Sequence, residues 1–288
     1  LVNPEEWRQF CSPIVPLLVT DKFCWTNNEI LKGNIKIANY SENGLAGKDL
    51  HWVLNNEKGQ PIDKGNIKIE SNHVGLIDLG QIQILLSSIL KVQKSVLSLN
   101  IQGTKAKNIY PLWIYPENIS TEIPSGIAIT DKLDDSALSR LRNGESILWF
   151  PNKDKYKQVT VGGLFQTDYW NYRMFKTISE NAKKPVSPGT LGILTNPDHP
   201  MFKDFPTDMH TNWQWFPIIK QSYPLILDRM QPEYRPIVQV IDNVERNHKL
   251  GLIFEFQVDN GKLLVCMSDL NAVMDKPETK QLYHSMLN

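Results

Sequence analysis

Cysteine is scarce: Cys11, Cys24 and Cys266 are the three in 288 residues. So few and so scattered a set excludes a disulfide framework and a thiolate metal cluster. A Cys11–Cys24 pair or three free, mostly buried thiols are the readings left open. Neither sign of charge is in excess, since Lys+Arg and Asp+Glu both number 31. Bulk charge therefore directs the chain toward neither nucleic acid nor an anionic membrane. No apolar run reaches the length of a membrane span. The sequence opens at Leu1 with neither an initiator Met nor a signal-peptide pattern, so a mature form or, more readily, a piece cut from a longer protein is expected. The common catalytic signatures are missing too. Gly162-Gly163 lacks the further glycines and the Lys-Ser/Thr of a phosphate loop. No G-x-S-x-G or G-x-C-x-G elbow occurs. Cys266 lies among apolar strand residues, where a thiol is usually inert. No cofactor is expected.

What the chain does have is an ordinary globular composition, 41% hydrophobic and 22% charged, enough for one large domain or two ordinary ones. Residues 1–116 read as strands. Glu5 to Phe10 allow one helical turn before Pro13 and Pro16 extend the chain. Alternation then dominates: Ile35 and Ile37 about Lys36, then Leu50, Trp52 and Leu54, then Ile67 and Ile69, then Leu97, Leu99 and Ile101. Asn43-Gly44, Asn56 to Gly59 and Gly103-Thr104 mark turns. This spacing predicts an immunoglobulin-like β-sandwich. Trp25, Trp52 and Trp113 read as core or interface aromatics, with sugar platforms as the functional alternative.

Residues 117–125 are polar and aperiodic and read as a linker. Asn39-Tyr-Ser41 and Asn118-Ile-Ser120 match the short N-glycosylation pattern. From 126 to 288 the period changes. Gly126 to Thr130 is a strand; Asp134 caps a helix with Ala137, Leu138 and Leu141 on one face and Gly144 as its stop; Ser146 to Phe150 is the next strand. That is a small parallel βαβ unit. A helix is expected from Leu164-Phe165 through Trp170, Tyr172 and Phe175, a buried strand over Pro236 to Ile241, and a hairpin about Asp259-Asn260-Gly261. Asp275 with Glu278 forms a capping box opening a last helix whose apolar face is Leu282, Tyr283, Met286 and Leu287. The second domain is thus predicted to be α/β with a mixed sheet, flavodoxin-like in outline.

The densest stretch in chemistry is Asn196 to Trp215. Pro197, Pro200 and Pro206 break any helix or strand there, so it is a structured loop. Its candidate ligand-binding residues are His199, Asp208, His210, Trp213 and Trp215. The first three have no standard metal-ligand spacing, and Phe202, Phe205 and the two tryptophans equally suit a packing layer. Outside the loop, Asp168 and Trp170 are candidates to orient and stack on a ligand, with an N-cap as the plain reading of Asp168. Asp242 follows an apolar strand and is a candidate for a carboxyl-end crevice, with a turn-capping role as its plain reading.

Several runs also carry a resemblance. Phe10-Cys-Ser-Pro-Ile-Val-Pro-Leu-Leu18 and Trp25-Thr-Asn-Asn-Glu29 resemble the segment after the catalytic barrel in bacterial glycoside hydrolase family 2 proteins of the β-galactosidase-like group. Asn108 to Pro116 looks like the closing strand of their immunoglobulin-like domain. Gly163-Leu-Phe, Asp198-His199-Pro200, Phe205 to Asp208, Asn212 to Trp215 and Val240-Ile241-Asp242 resemble their C-terminal α/β domain, itself similar to class I glutamine-amidotransferase-like folds. The resemblance implies a periplasmic or extracellular setting. It also implies glutamate catalysts on a (β/α)₈ barrel of about 250 residues, for which this chain has no room. The nucleophilic Cys of the amidotransferase-like fold is absent as well.

The expected function is therefore that of non-catalytic C-terminal accessory domains, partnered with a catalytic barrel of the same polypeptide and open to homo-oligomer formation. A carbohydrate-binding module using Trp170, Trp213 and Trp215 is the second reading. A stand-alone hydrolase built on Asp208 and His210 is the third, and no nucleophile can be named for it.

Overall fold

In the computed structural model, residues 2–42, 44–163 and 171–288 are described. Leu164, Phe165, Asp168 and Trp170, and the Asn43 half of one turn signal, lie outside the described residues. The chain divides into two compact units, Leu1–Asn118 and Ile119–Asn288.

The first unit is built from the alternating segments. A short helix α1 (Pro4–Arg8) starts at Asn3, whose side chain accepts the N–H groups of Glu5 and Glu6 while Glu6 reaches back to the Asn3 N–H. Eight strands follow: β1 (Ile14–Val19), β2 (Cys24–Thr26), β3 (Ile30–Asn39), β4 (Asp49–Asn55), β5 (Pro61–Lys68), β6 (Gly75–Leu85), β7 (Gln93–Ile101) and β8 (Lys107–Tyr115). They form a sheet of order β1-β3-β6 and another of order β2-β8-β7-β4-β5. Leu31, Ile35 and Ile37 from the first sheet share one buried core with Leu50, Leu54, Leu97 and Leu99 from the second. Period-2 patterning turns those side chains to one face, and burying both faces against each other makes a β-sandwich. Trp25, Trp52 and Trp113 are all buried, so none offers a sugar platform. Trp52 lies over Gly65 on the neighbouring strand, where a Cβ would fall 2.7 Å from the indole ring.

The second unit is α/β. Its strands are β9 (Ile127–Thr130), β10 (Ser146–Trp149), β11 (Gly192–Thr195), β12 (Leu225–Ile226), β13 (Val238–Ile241), β14 (Lys249–Val258) and β15 (Gly261–Cys266). They make a mixed sheet of order β11-β13-β14-β15-β10-β9, with β12 pairing β14. β9, β10 and β15 are mutually parallel, and the other junctions are antiparallel. Helix α2 (Asp135–Arg142) joins β9 to β10. Asp134 accepts the Ala137 N–H at 3.0 Å, and Gly144, at φ +85°, ends the helix by donating to the Leu141 carbonyl. The β14–β15 turn is Asp259-Asn260, with Asp259 in the left-handed region at φ +51°. Helix α3 (Tyr172–Asn181) is capped by Asn171, and α4 (Phe216–Lys220) follows the aromatic loop. Among the described residues, no helix is long and apolar enough to cross a membrane.

One expectation is corrected. The last helix, α5 (Pro277–Leu287), has Lys276 at its N-cap, with no side-chain cap. Pro277 takes the first helical position, so Glu278 comes one residue too early to close a box, and Asp275 pairs with Lys276 Nζ at 2.9 Å. Proline's missing N–H leaves one fewer donor to cap. The three thiols follow the reading of free, mostly buried cysteines: Cys24 and Cys266 are buried and Cys11 is exposed, and none is paired.

Gly261 opens β15 against the end of α2, where a Cβ would fall 2.6 Å from the Leu141 carbonyl oxygen and 2.7 Å from its Cα. Both are backbone atoms and cannot swing aside. Gly261→Ala should lower unfolding free energy by about 1–3 kcal/mol in urea titrations; an unchanged midpoint would show that this helix end is pliable.

Candidate functional site

The Asn196–Trp215 stretch is held by its own side chains. Phe202, Phe205 and Trp215 form an aromatic cluster with ring centroids 5.2–6.2 Å apart, and all three are buried. Trp215 Nε1 donates to Thr207 Oγ1 at 2.8 Å, and the buried Gln214 donates to the Pro206 carbonyl at 2.8 Å. Thr195 Oγ1 donates to the Asp208 carbonyl at 2.6 Å, and Asn212 donates to Asp208 Oδ2 at 3.0 Å. A loop crossed by three prolines cannot satisfy its backbone with a ladder, so hydroxyl and amide side chains do so.

The histidines separate. His199 caps a 3₁₀ turn (Pro200–Phe202), its Nδ1 accepting the Met201 N–H at 3.2 Å. Nε2 then carries the proton and lies 3.6 Å from Glu255 Oε1. His210 is exposed, with Nδ1 3.0 Å from the Thr211 carbonyl, which requires the proton on that nitrogen. The tryptophans separate as well. Trp215 is fully buried, while Trp213 is 52% exposed beside Phe216 at 49%, around a shallow depression of about 220 Å³ shared with Thr211 and Asn212.

Asp242 is buried at the end of β13. Arg246 grips it through Nη2 at 2.6 Å and Nε at 3.1 Å, and the N–H groups of Asn243 and His248 donate to it at 2.8 and 3.1 Å. Arg246 also donates to the Pro188 carbonyl and stacks on Tyr172, 4.6 Å from the ring centroid. The carboxylate organises the turn into β14. Burial pushes the Cys266 thiol up to about 12, far from a thiolate at neutral pH. Among the described residues, no group of three His, Cys, Asp or Glu is placed to hold a metal ion.

A concave site does exist, lined by residues that no motif in the sequence marks. The chain leaves β9 through Asp131, β10 through Phe150 to Asp154, and β15 through Ser268 to Asn271; these segments line one cleft of about 490 Å³. It sits outside the carboxyl ends of the three parallel strands, where open α/β sheets bind ligands. Phe150 and Tyr283 stack in it at 6.3 Å with planes 22° apart. Tyr223 donates from its hydroxyl to the Pro151 carbonyl at 2.8 Å, and burial, then the nearby Cys266 and Asp269, push its ionisation upward. A signal was available in the sequence: each polar rim residue comes one to five positions after a parallel strand. β13 runs in the direction of β15, so Asp242 leaves the sheet on the same edge, but Arg246 occupies it.

Two measurements test this division of labour. Trp215→Ala should cost about 3–5 kcal/mol in chemical denaturation, whereas Trp213→Ala should change stability by under about 0.5 kcal/mol; equal losses would contradict the assignment. Native protein should react with a thiol reagent at Cys11 alone, with Cys24 and Cys266 released by denaturant, and rapid modification of Cys266 would show its strand is not closed.

Residues 128–288 match the family described as Domain of unknown function (DUF8487), and residues 29–116 match Domain of unknown function (DUF8488). No curated protein matches the chain. Among solved structures, a Parabacteroides merdae β-glucuronidase aligns at TM-score 0.26 and 9% identity over 49% of this chain and 21% of that one. A family 123 glycoside hydrolase from Clostridium perfringens aligns at 0.24 and 9%, over 46% and 32%. A conjugative transposon lipoprotein from Bacteroides eggerthii aligns at 0.24 and 4%, over 36% and 97%. The chain spans about a fifth of the length of the β-glucuronidase. Its α/β half carries the family match over more than half of the sequence, and the chain belongs to the family Domain of unknown function (DUF8487).

Proposed function

We propose that this chain supplies two non-catalytic accessory domains, immunoglobulin-like and flavodoxin-like, to a family 2-like glycoside hydrolase whose catalytic barrel belongs to the same polypeptide. The observation that carries the reading is the use made of the resembling motifs. Phe205 and Trp215 fill a core, Gln214 and Asp208 close a loop, and Asp242 is held by Arg246. Residues committed in this way support a fold, and among the described residues these motifs bring no nucleophile beside a base. A periplasmic or extracellular setting and self-association belong to the same proposal. The test is direct: the purified chain should turn over none of a panel of aryl glycosides, and the upstream reading frame should encode a barrel-length segment. Measurable hydrolysis by the chain alone would overturn the reading.

A second reading is favoured by one feature, the adjacent exposed rings of Trp213 and Phe216. Aromatic faces suit the C–H surfaces of sugars. Calorimetry against plant and host glycans should then give saturable heats that Trp213→Ala removes; flat titrations would eliminate the platform.

A further inference from the structure

We infer that the cleft at the carboxyl ends of β9, β10 and β15 is a binding site for an uncharged saccharide. The inference stands apart from both functional readings above, since it requires neither a barrel nor the Trp213 surface. Its volume of about 490 Å³ falls within the roughly 300–1,000 Å³ of small-molecule sites. Its lining is divided by polarity. Ile129, Phe150, Met274 and Tyr283 give it an apolar, half-buried floor with two stacked rings. Asp131, Asn152, Asp269 and Asn271 give it an exposed rim of carboxylate and amide groups. A pyranose has the matching division, with C–H faces for the rings and hydroxyls for the rim.

Charge narrows the class. Asp131 and Asp269 stand against Lys153 in the lining, and Asp154 is offset by Lys157, so the rim stays net negative and disfavours phosphates and uronic acids. A simple cation is not selected either. Asp154 is paired with Lys157 at 2.7 Å, and Asp269 caps the Ala272 N–H. Asp131, the carboxylate without a partner among the described residues, is exposed, and one exposed charge holds a cation by no more than about 1 kcal/mol. Carboxylate acceptors and amide groups set around an apolar floor suit the hydroxyls of an uncharged polyol instead.

The experiment is calorimetry and saturation-transfer NMR on the whole chain with cellobiose, lactose, maltose and xylobiose, alongside glucuronic acid and spermidine. At least one neutral disaccharide should saturate below about 10 mM, with neither charged probe doing so. Asp131→Ala and Asn271→Ala should each weaken it about tenfold, and Trp213→Ala should leave it unchanged. Both rim variants are surface changes that thermal melts can show to be folded. The inference is overturned if no neutral sugar saturates, if glucuronate or spermidine binds in preference, if both rim variants bind like the parent, or if Trp213→Ala abolishes binding.

Discussion

The two edges of β15 hold the α/β unit together. One edge pairs antiparallel with β14 through a two-residue turn, and the other pairs parallel with β10. Strand direction is thereby fixed on both sides of the sheet. The antiparallel half needs only tight local turns, while the parallel half needs the α2 crossover to return the chain. The junction is close because Gly261 carries no side chain beside Leu141. Once β9, β10 and β15 run together, their carboxyl ends must open on one edge, and the cleft is the geometric result.

Polar chemistry elsewhere in the unit is spent on irregular backbone. The Asn196–Trp215 loop and the β13–β14 turn gather histidines, acids and amides because prolines and tight turns leave carbonyls and N–H groups unpaired. Asp242 shows the principle at its strongest. Its charge is buried, so Arg246 and two backbone donors must all be present to offset desolvation. A cluster of reactive residue types on a loop is therefore weak grounds for catalysis until each has been followed to its partner.

The rim of the cleft is organised differently. Asp131 and Asn271 stand at the surface, over a floor whose rings are already stacked. Polar groups that are not consumed by the fold, set around an apolar depression, are what a ligand can use. The accessory-domain reading and the saccharide inference thus draw on different parts of one unit, the first on residues locked into packing and the second on residues left free of it.

Where the signal was local, the residues alone determined the structure. Strands β3, β4 and β7 followed from alternation, α2 from Asp134 and Gly144, and the β14–β15 turn from Asp259-Asn260, because each depends on interactions spanning a few positions. Helix α5 starts one position later than the Asp275–Glu278 spacing predicts, because Pro277 at the first helical position makes Lys276 the N-cap. Tertiary structure alone decided the rest. Trp213 and Trp215 sit in one 3₁₀ turn two residues apart, where about 120° per residue sends them to different sides. Only the Phe202–Phe205 cluster settles which of the two is buried. The cleft, too, is assembled from three loops and a C-terminal helix far apart in the chain. No window of sequence contains it, because its parts meet only when parallel strands are laid side by side.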